Sequence, residues 1–301
     1  MVNKKKQKEN TDVNSFDFTN ISRNKGDIMH ISTKNVVTNP QTTSIMSVIK
    51  TMARKKFRRI PITNAGTNKI EGIITSMDVV DFLGGGQKNS LVEKKHKGNL
   101  LAAINDCVCE IMQRDVVYLQ ENTTIVDAAS IMCKKRVGGI PIIDSNGRVC
   151  AICTEKDFVG LVAGITIDKT VKDYMSVNVK TTSPDTTIGE AAKIMVQNKF
   201  RRLPIVKDGI LLGVVTATNI LNFVGDGVAF DKLVTGNIHE AFDEPIHSLI
   251  SKESIWVPPD MDIGEAASLM IENKVGSLIV LNDGALEGII TERDFLQVMT
   301  V

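Results

Sequence analysis

Gly288-Ile289-Ile290-Thr291-Glu292-Arg293-Asp294 is the clearest of four related septets in the 301-residue chain. The other three run from Gly72 to Asp78, from Ala151 to Asp157 and from Gly213 to Asn219. Each has a small residue, two apolar residues, a Thr, and an acid or amide three places later. This order predicts a strand that ends at the Thr, which then caps a helix with the acid in its first turn. The free N–H groups of such a helix start can hold a phosphate.

Each septet closes a longer unit that recurs four times with fixed spacing. A polar cap opens a helix, a Met follows eight places later, and an apolar strand lies 17 residues beyond the cap. The caps are Ser44, Thr124, Thr187 and Asp262, and the methionines are Met52, Met132, Met195 and Met270. This spacing puts each Met on the buried face of its helix. A further short apolar segment precedes each cap, so each unit predicts the order β–α–β–β–α.

The units alternate in kind. The first and third carry Phe57-Arg58-Arg59 and Phe200-Arg201-Arg202, whereas the second and fourth carry Val137-Gly138-Gly139 and Val275-Gly276-Ser277. The first and third are also each followed by a glycine-bearing spacer, Gly84-Gly85-Gly86 and Gly225-Asp226-Gly227. This alternation indicates that a two-unit module was duplicated. The predicted units are repeat 1 (27–83), repeat 2 (105–162), repeat 3 (168–224) and repeat 4 (245–301), grouped as domains 27–165 and 166–301 after a mobile polar tail at 1–26.

The repeated unit resembles the cystathionine-β-synthase (CBS) domain family over about residues 27–301. The resemblance rests on the whole unit, the aliphatic-Pro-aliphatic strand and the Gly-x-x-Thr-x-x-Asp septet. It implies an α/β fold of the α+β type, in which two repeats pair about a pseudo-twofold axis as a Bateman module and four repeats form a disk. It also implies that clefts between paired repeats bind AMP, ADP, ATP, S-adenosylmethionine or methylthioadenosine, with no cofactor required.

In these clefts the resemblance implies that the septet acid holds the ribose hydroxyls and that the Thr lies near a phosphate. The matching positions are Thr75 and Asp78, Thr154 and Asp157, Thr216 and Asn219, and Thr291 and Asp294. Asn219 brings no negative charge, and Ile279 replaces the Pro of the fourth strand, which puts the shape of that strand in doubt. As an alternative, these Thr and Asp residues serve only as helix caps, worth about 1 kcal/mol each.

The paired arginines are the phosphate candidates outside the septets, because guanidinium forks suit phosphate. They are Arg58, Arg59, Arg201 and Arg202, and Lys156 and Arg293 are further candidates inside the septets. The alternative for the arginines is that one of each pair faces solvent or bonds a neighbouring carboxylate. The alternative for Lys156 and Arg293 is an exposed helix charge.

Composition argues against several other classes of protein. Thirty-six basic and 35 acidic residues give a net charge of +1, which favours neither nucleic acid nor anionic lipid as partner. No apolar run approaches the roughly 20 residues that span a bilayer. No nucleophile–base arrangement stands out, so no catalytic residue is predicted. The five cysteines, all between Cys107 and Cys153, are interpreted as small buried apolar residues and not as a disulfide framework or metal site.

These observations predict a non-catalytic cytoplasmic regulator that binds an adenine nucleotide and signals to a separate effector protein. A homodimer is one of the alternatives for its assembly, and membrane or nucleic-acid partners are not expected. Two alternatives remain. One is a binder of S-adenosylmethionine or methylthioadenosine, and the other is a scaffold, structural or associated with nucleic acid, that binds no metabolite.

Overall fold

The computed structural model describes residues 24–250 and 254–300, so the predicted tail at 1–26 lies almost entirely outside the described residues. The strands are β1 Asn39–Pro40, β2 Arg59–Thr63, β3 Ile70–Thr75, β4 Leu119–Gln120, β5 Gly139–Ile143, β6 Val149–Thr154, β7 Arg202–Lys207, β8 Ile210–Thr216, β9 Trp256–Val257, β10 Ser277–Asn282 and β11 Ala285–Thr291. The α-helices are α1 Ile28–Ile31, α2 Ile45–Lys55, α3 Ser76–Val80, α4 Leu100–Ala103, α5 Ile125–Lys135, α6 Glu155–Val162, α7 Ile188–Asn198, α8 Ala217–Gly225, α9 His239–Phe242, α10 Ile263–Glu272 and α11 Phe295–Val298.

The first long helix of each repeat begins where the cap predicts. Ser44, Thr124 and Thr187 each accept a hydrogen bond from the N–H three places later, at 3.2, 3.0 and 3.1 Å. Asp262 accepts from the N–H of Gly264 at 2.7 Å. The four predicted methionines, Met52, Met132, Met195 and Met270, are all buried, with at most 2% of their surface exposed. The predicted helix starts and their buried faces are therefore confirmed.

Each repeat has one antiparallel strand pair: β2–β3, β5–β6, β7–β8 and β10–β11. A short parallel strand joins this pair in repeats 1, 2 and 4, whereas in repeat 3 the described chain has only a bridge from Thr182 to Ile205. In repeat 2 the apolar segment before the cap is Val116–Tyr118. The first strand of this repeat, β4, comes just after that segment. Ile279 pairs with Ile289 as Pro61 pairs with Ile73, so the loss of Pro leaves the strand pairing unchanged.

Two separate apolar cores each join alternate repeats. The first contains Met52 of repeat 1 and Met195 of repeat 3, and the second contains Met132 of repeat 2 and Met270 of repeat 4. Helix α2 accordingly lies against α8, and α6 lies against α10. Backbone bridges instead join consecutive repeats, including the one between Ile73 and Gln113. The division into 27–165 and 166–301 stays a prediction. The backbone bridges between repeats stay within each predicted domain, whereas each apolar core contains residues of both.

Within the described residues, no helix has the length and apolar character needed to cross a bilayer.

Candidate functional site

The septets bring each Thr and its acid or amide into direct contact. The N–H of Thr75, Thr154 and Thr291 donates to the carboxylate three places later at 2.8, 2.7 and 2.7 Å. The hydroxyls of the same three Thr residues donate to the same oxygen at 2.6, 3.0 and 2.9 Å. In repeat 3, Asn219 Oδ1 accepts from Thr216 N and Oγ1 at 2.8 and 2.6 Å. In repeats 1 to 3 the predicted pairs are therefore built as helix caps, and the ligand role of all four pairs stays a prediction.

The fourth septet differs from the others in its backbone. Thr75, Thr154 and Thr216 directly precede α3, α6 and α8, whereas residues 292–294 form a turn and α11 begins only at Phe295. The prediction that the septet Thr caps a helix is therefore wrong at Thr291, because the helix begins four residues later. The turn is compatible with the septet because Thr291 still donates twice to Asp294.

Asp157 and Asp294 each have one oxygen free for another partner. All hydrogen bonds to these two carboxylates within the described chain use Oδ2, and Oδ1 receives none. Burial raises the pKa of both acids, although their Thr partners and a nearby arginine act in the opposite direction. That arginine is Arg59 for Asp157 and Arg202 for Asp294. Each open acid thus has one arginine from the preceding repeat close by.

Two arginines of repeats 1 and 3 form ion pairs with two glutamates of repeats 4 and 2. Arg58 donates to both oxygens of Glu292, with Nη2 2.7 Å from Oε1. Arg201 Nη2 donates to Glu155 at 2.8 and 3.1 Å. The glutamates are only 2% and 4% exposed. Burial acts to raise the pKa of Glu292, but the hydrogen bond and charge of Arg58 outweigh it, so the pKa is lowered.

Arg59 and Arg202 have no such partner. In the described chain neither has a carboxylate oxygen within 4.0 Å, although Arg202 Nη2 donates to the carbonyl of Gly276 at 2.6 Å. Burial and the neighbouring arginines lower the pKa of both to about 10. Both lie deep in the molecule, yet water still reaches part of each side chain, as expected in a cleft. Arg59 and Arg202 thus bring two guanidinium groups that form no ion pair with a described carboxylate, which favours binding of an anion.

The alternation of Arg-Arg and Gly-Gly in the sequence has a steric reason. A Cβ on Gly138 would lie 2.7 Å from Nη2 of Arg201, and a Cβ on Gly139 would overlap the guanidinium of Arg59. A Cβ on Gly276 would likewise overlap Arg202. Repeats 2 and 4 therefore need small residues at the positions where repeats 1 and 3 carry arginines.

The remaining charged candidates lie outside this cluster of ion pairs. Lys156 is exposed and Arg293 is partly buried, and neither forms an ion pair with any described residue. Sequence reasoning missed Glu155 and Glu292 as partners of the arginines. A signal was present, because the residue after the septet Thr is Glu in repeats 2 and 4 but Ser76 or Ala217 in repeats 1 and 3.

Asp78 is surrounded differently from Asp157 and Asp294. Lys88 from the spacer after repeat 1 forms an ion pair with its Oδ1, and Gln113 Nε2 lies 2.9 and 3.1 Å from its two oxygens. Neither residue was a predicted site residue. A recess of about 200 Å³ lies elsewhere, between this spacer and the start of α7, and none of the predicted ligand residues lines it.

Cys107 and Cys109 form a disulfide, which corrects the interpretation that both are free thiols. Cys107 has extended backbone and directly precedes a 3-10 turn, Val108–Glu110, and this turn brings its sulfur to that of Cys109. Glu110 is close to the two sulfurs, but sulfurs in a disulfide are not the thiolates that bind metals. Cys153 is fully buried, as the interpretation of the cysteines requires, whereas Cys133 and Cys150 are only partly buried.

The CBS domain profile matches residues 26–85, 108–164, 171–226 and 246–300. The chain therefore belongs to the CBS domain family. The predicted four repeats and their α+β fold are confirmed.

Two archaeal relatives resemble the chain over most of its length. Protein MJ1225 of Methanocaldococcus jannaschii is 38% identical over 266 residues, which are 88% of this chain and 95% of that protein. The crystal structure of MJ1225, a proposed archaeal homologue of γ-AMPK, has a TM-score of 0.85 at 37% identity and covers 90% of this chain and 98% of its own. An uncharacterized 33.4 kDa protein of Thermofilum pendens is 29% identical over 257 residues, 85% of each chain.

Proposed function

We propose that the protein is a non-catalytic regulator that binds AMP, ADP or ATP in clefts between paired CBS repeats. The observation that carries this proposal is the pairing of an open septet acid with an arginine that lacks a carboxylate partner. Arg59 lies against Gly139, the strand partner of Thr154 in the septet of Asp157, and Arg202 lies against Gly276, which adjoins the strand partner of Thr291 in the septet of Asp294. The free carboxylate oxygen can accept hydrogen bonds from ribose hydroxyls, and the guanidinium can donate two parallel bonds to a phosphate.

The unpaired guanidinium groups favour a phosphorylated ligand over the other adenosine compounds. The sulfonium of S-adenosylmethionine would add a positive charge beside a guanidinium that has no carboxylate partner, and methylthioadenosine would bring no negative charge to neutralise it. The similarity to MJ1225, a proposed homologue of γ-AMPK, agrees with a nucleotide. The net charge of +1 gives no support to a scaffold for nucleic acid.

The regulatory step follows from the position of the arginines. Arg59 and Arg202 adjoin Arg58 and Arg201, whose ion pairs join repeat 1 to repeat 4 and repeat 3 to repeat 2. A phosphate that neutralises Arg59 or Arg202 weakens the repulsion among the four arginines and so favours one arrangement of the two repeat pairs. That change would reach an effector protein, in the cytoplasm, that recognises one arrangement. The protein would act alone or as a homodimer.

Thermal unfolding in the presence of single ligands tests the proposal. At 100 times its dissociation constant, a ligand adds about 2.7 kcal/mol to the free energy of unfolding. At roughly 2–4 °C per kcal/mol, AMP, ADP or ATP should raise the melting temperature by about 5–10 °C. Adenosine, which shares the ribose and base but lacks phosphate, is the matched control and should give a much smaller shift.

In the Arg59→Met variant, most of the rise in melting temperature that comes from AMP bound at the cleft of Arg59 should be lost. Arg54→Met, which removes an exposed arginine of α2, should keep that rise. Equal shifts with adenosine and AMP would favour the methylthioadenosine class. No shift with any adenosine compound would overturn the proposal and favour the scaffold.

A further inference from the structure

The carboxylate of Asp78 is fully engaged by the protein itself. Its Oδ1 receives Lys88 Nζ and Gln113 Nε2, and its Oδ2 receives Thr75 N, Thr75 Oγ1 and the more distant contact of Gln113 at 3.1 Å. A carboxylate has about four lone-pair sites, so these five contacts saturate it. Asp78 is also only 5% exposed. A ribose hydroxyl therefore finds no acceptor there, in contrast to the free Oδ1 of Asp157 and Asp294.

Lys88 is held in this position by its own segment. Its N–H donates to Asp81 Oδ1 at 2.8 Å, and its Nζ also donates to the carbonyl of Ile111 at 2.5 Å. The preceding glycines make the turn possible. Gly84 has φ +156°, which side chains rarely adopt, and a Cβ on Gly85 would overlap Val196 of α7. The glycine-bearing spacer after repeat 1 is thus the segment that brings the ammonium group of Lys88 to Asp78.

The sheet register shows that Gln113 is a second difference between the repeats. Gln113 forms a backbone bridge with Ile73, the residue two places before the septet Thr. At the same register position Thr33 bridges Ile152 and Ser176 bridges Ile289. Among the three such bridges in the described part of the chain, the residue beside the septet strand is short in repeats 2 and 4 and long enough to reach the acid in repeat 1.

We infer that Lys88 and Gln113 close the septet of repeat 1 to nucleotides, so that AMP enters the septets of Asp157 and Asp294 but not that of Asp78. The inference rests on the proposed function, which supplies the ligand. The ammonium of Lys88 and the amide of Gln113 occupy the acceptors that the ribose diol would use. Closure is a property of Lys88 in the spacer and Gln113 at the start of repeat 2, and not of the septet, because the Thr75–Asp78 pair itself is intact.

Isothermal titration of the full chain with AMP measures how many ligands bind. Asp78→Ala should leave the number of AMP molecules per chain unchanged, whereas the matched variant Asp294→Ala should lower it by one. If Asp78→Ala proves unstable, Asp78→Asn, which keeps the shape of the side chain, takes its place and should likewise leave the number of AMP molecules unchanged. A wild-type chain that binds no AMP overturns the proposed function. A wild-type chain that binds AMP, but loses one equivalent on removal of Asp78, overturns only the closure of repeat 1.

The double variant Lys88→Ala/Gln113→Ser opens the septet, with Ser copying the residue found at the equivalent register position of repeat 4. It should bind one more AMP per chain than wild type, and adding Asp78→Ala should remove that extra molecule. Ser176→Gln is the reverse experiment and should weaken AMP binding in repeat 4 about tenfold or more. An unchanged number of ligands in the double variant, together with full affinity in Ser176→Gln, would overturn the inference.

Discussion

Arg58 and Glu292, which are 234 residues apart in sequence, form a two-bond ion pair between repeats 1 and 4. The counterpart in the same cluster is Arg201 with Glu155, between repeats 3 and 2. Both contacts join repeats of different predicted domains. They lie beside Arg59 and Arg202, so any anion bound there acts on the contacts between the two halves of the chain.

The Arg58–Glu292 pair predicts a pH dependence of stability. The pKa of Glu292 is lowered in the folded protein, so its contribution is fully present above its usual pKa of 4.5 and is lost as the pH falls below that value. Glu292→Gln should therefore cost roughly 2 kcal/mol of unfolding free energy at pH 7. The difference from wild type should shrink in urea unfolding at pH 4 and pH 3.

The exposed residue Glu272 provides the control for this experiment. Glu272→Gln should leave the unfolding free energy within about 0.5 kcal/mol of wild type at each pH. A difference between Glu292→Gln and wild type that is the same at pH 7 and pH 3 would show that the pair's charge does not stabilise the fold.

Arg59 is expected to destabilise the protein when no ligand is bound. Its pKa is lowered to about 10, mainly by burial, so the folded state disfavours its charge at any pH well below that value. Arg59→Met should raise the melting temperature of the free protein by roughly 2–4 °C, corresponding to about 1 kcal/mol. Differential scanning calorimetry without nucleotide measures this. Arg54→Met removes the same charge from the surface and should have little effect, and a lower melting temperature for Arg59→Met would contradict the prediction.

Gly276 is required to be small because Arg202 and Glu292 lie against it. A Cβ at this position would lie 3.0 Å from the carboxylate of Glu292 and overlap Arg202. Gly276→Ala should lower the unfolding free energy by about 1–3 kcal/mol. Gly160→Ala is the matched control, because Gly160 lies within α6 with nothing near its missing Cβ, and there Ala should be neutral or stabilising by up to about 1 kcal/mol. Equal effects of both substitutions in chemical unfolding would argue against the steric explanation.

Met195 tests whether the core shared by repeats 1 and 3 stabilises the whole chain. It is fully buried in that core, so Met195→Ala should cost about 2–5 kcal/mol. Met195→Leu keeps the volume and should cost less than about 1.5 kcal/mol. Chemical unfolding monitored at Trp256, which lies in repeat 4, reports whether the loss is felt beyond the mutated core. A small loss in Met195→Ala would mean that the core repacks freely.

Local patterns were enough to predict the repeat, its caps and its buried methionines, because each depends on residues within one helix or strand. Contacts between distant repeats are indicated less clearly by the sequence. The match of Arg58 to Glu292 could have been inferred from the alternating Glu and Arg positions. The reach of Lys88 to Asp78 could not, since nothing in the spacer's sequence indicates which residue folds back. The disulfide between Cys107 and Cys109 was likewise missed, because it depends on the 3-10 turn at Val108–Glu110 and not on a strand.

The sharing of each core between alternate repeats also affects how the chain folds during synthesis. Helix α2 packs against α8, which is made about 160 residues later. At roughly 5–20 residues per second, the delay is on the order of ten seconds. For that time the apolar face of α2 has no intramolecular cover from α8, and the nascent chain is a target for chaperones or for a second nascent copy.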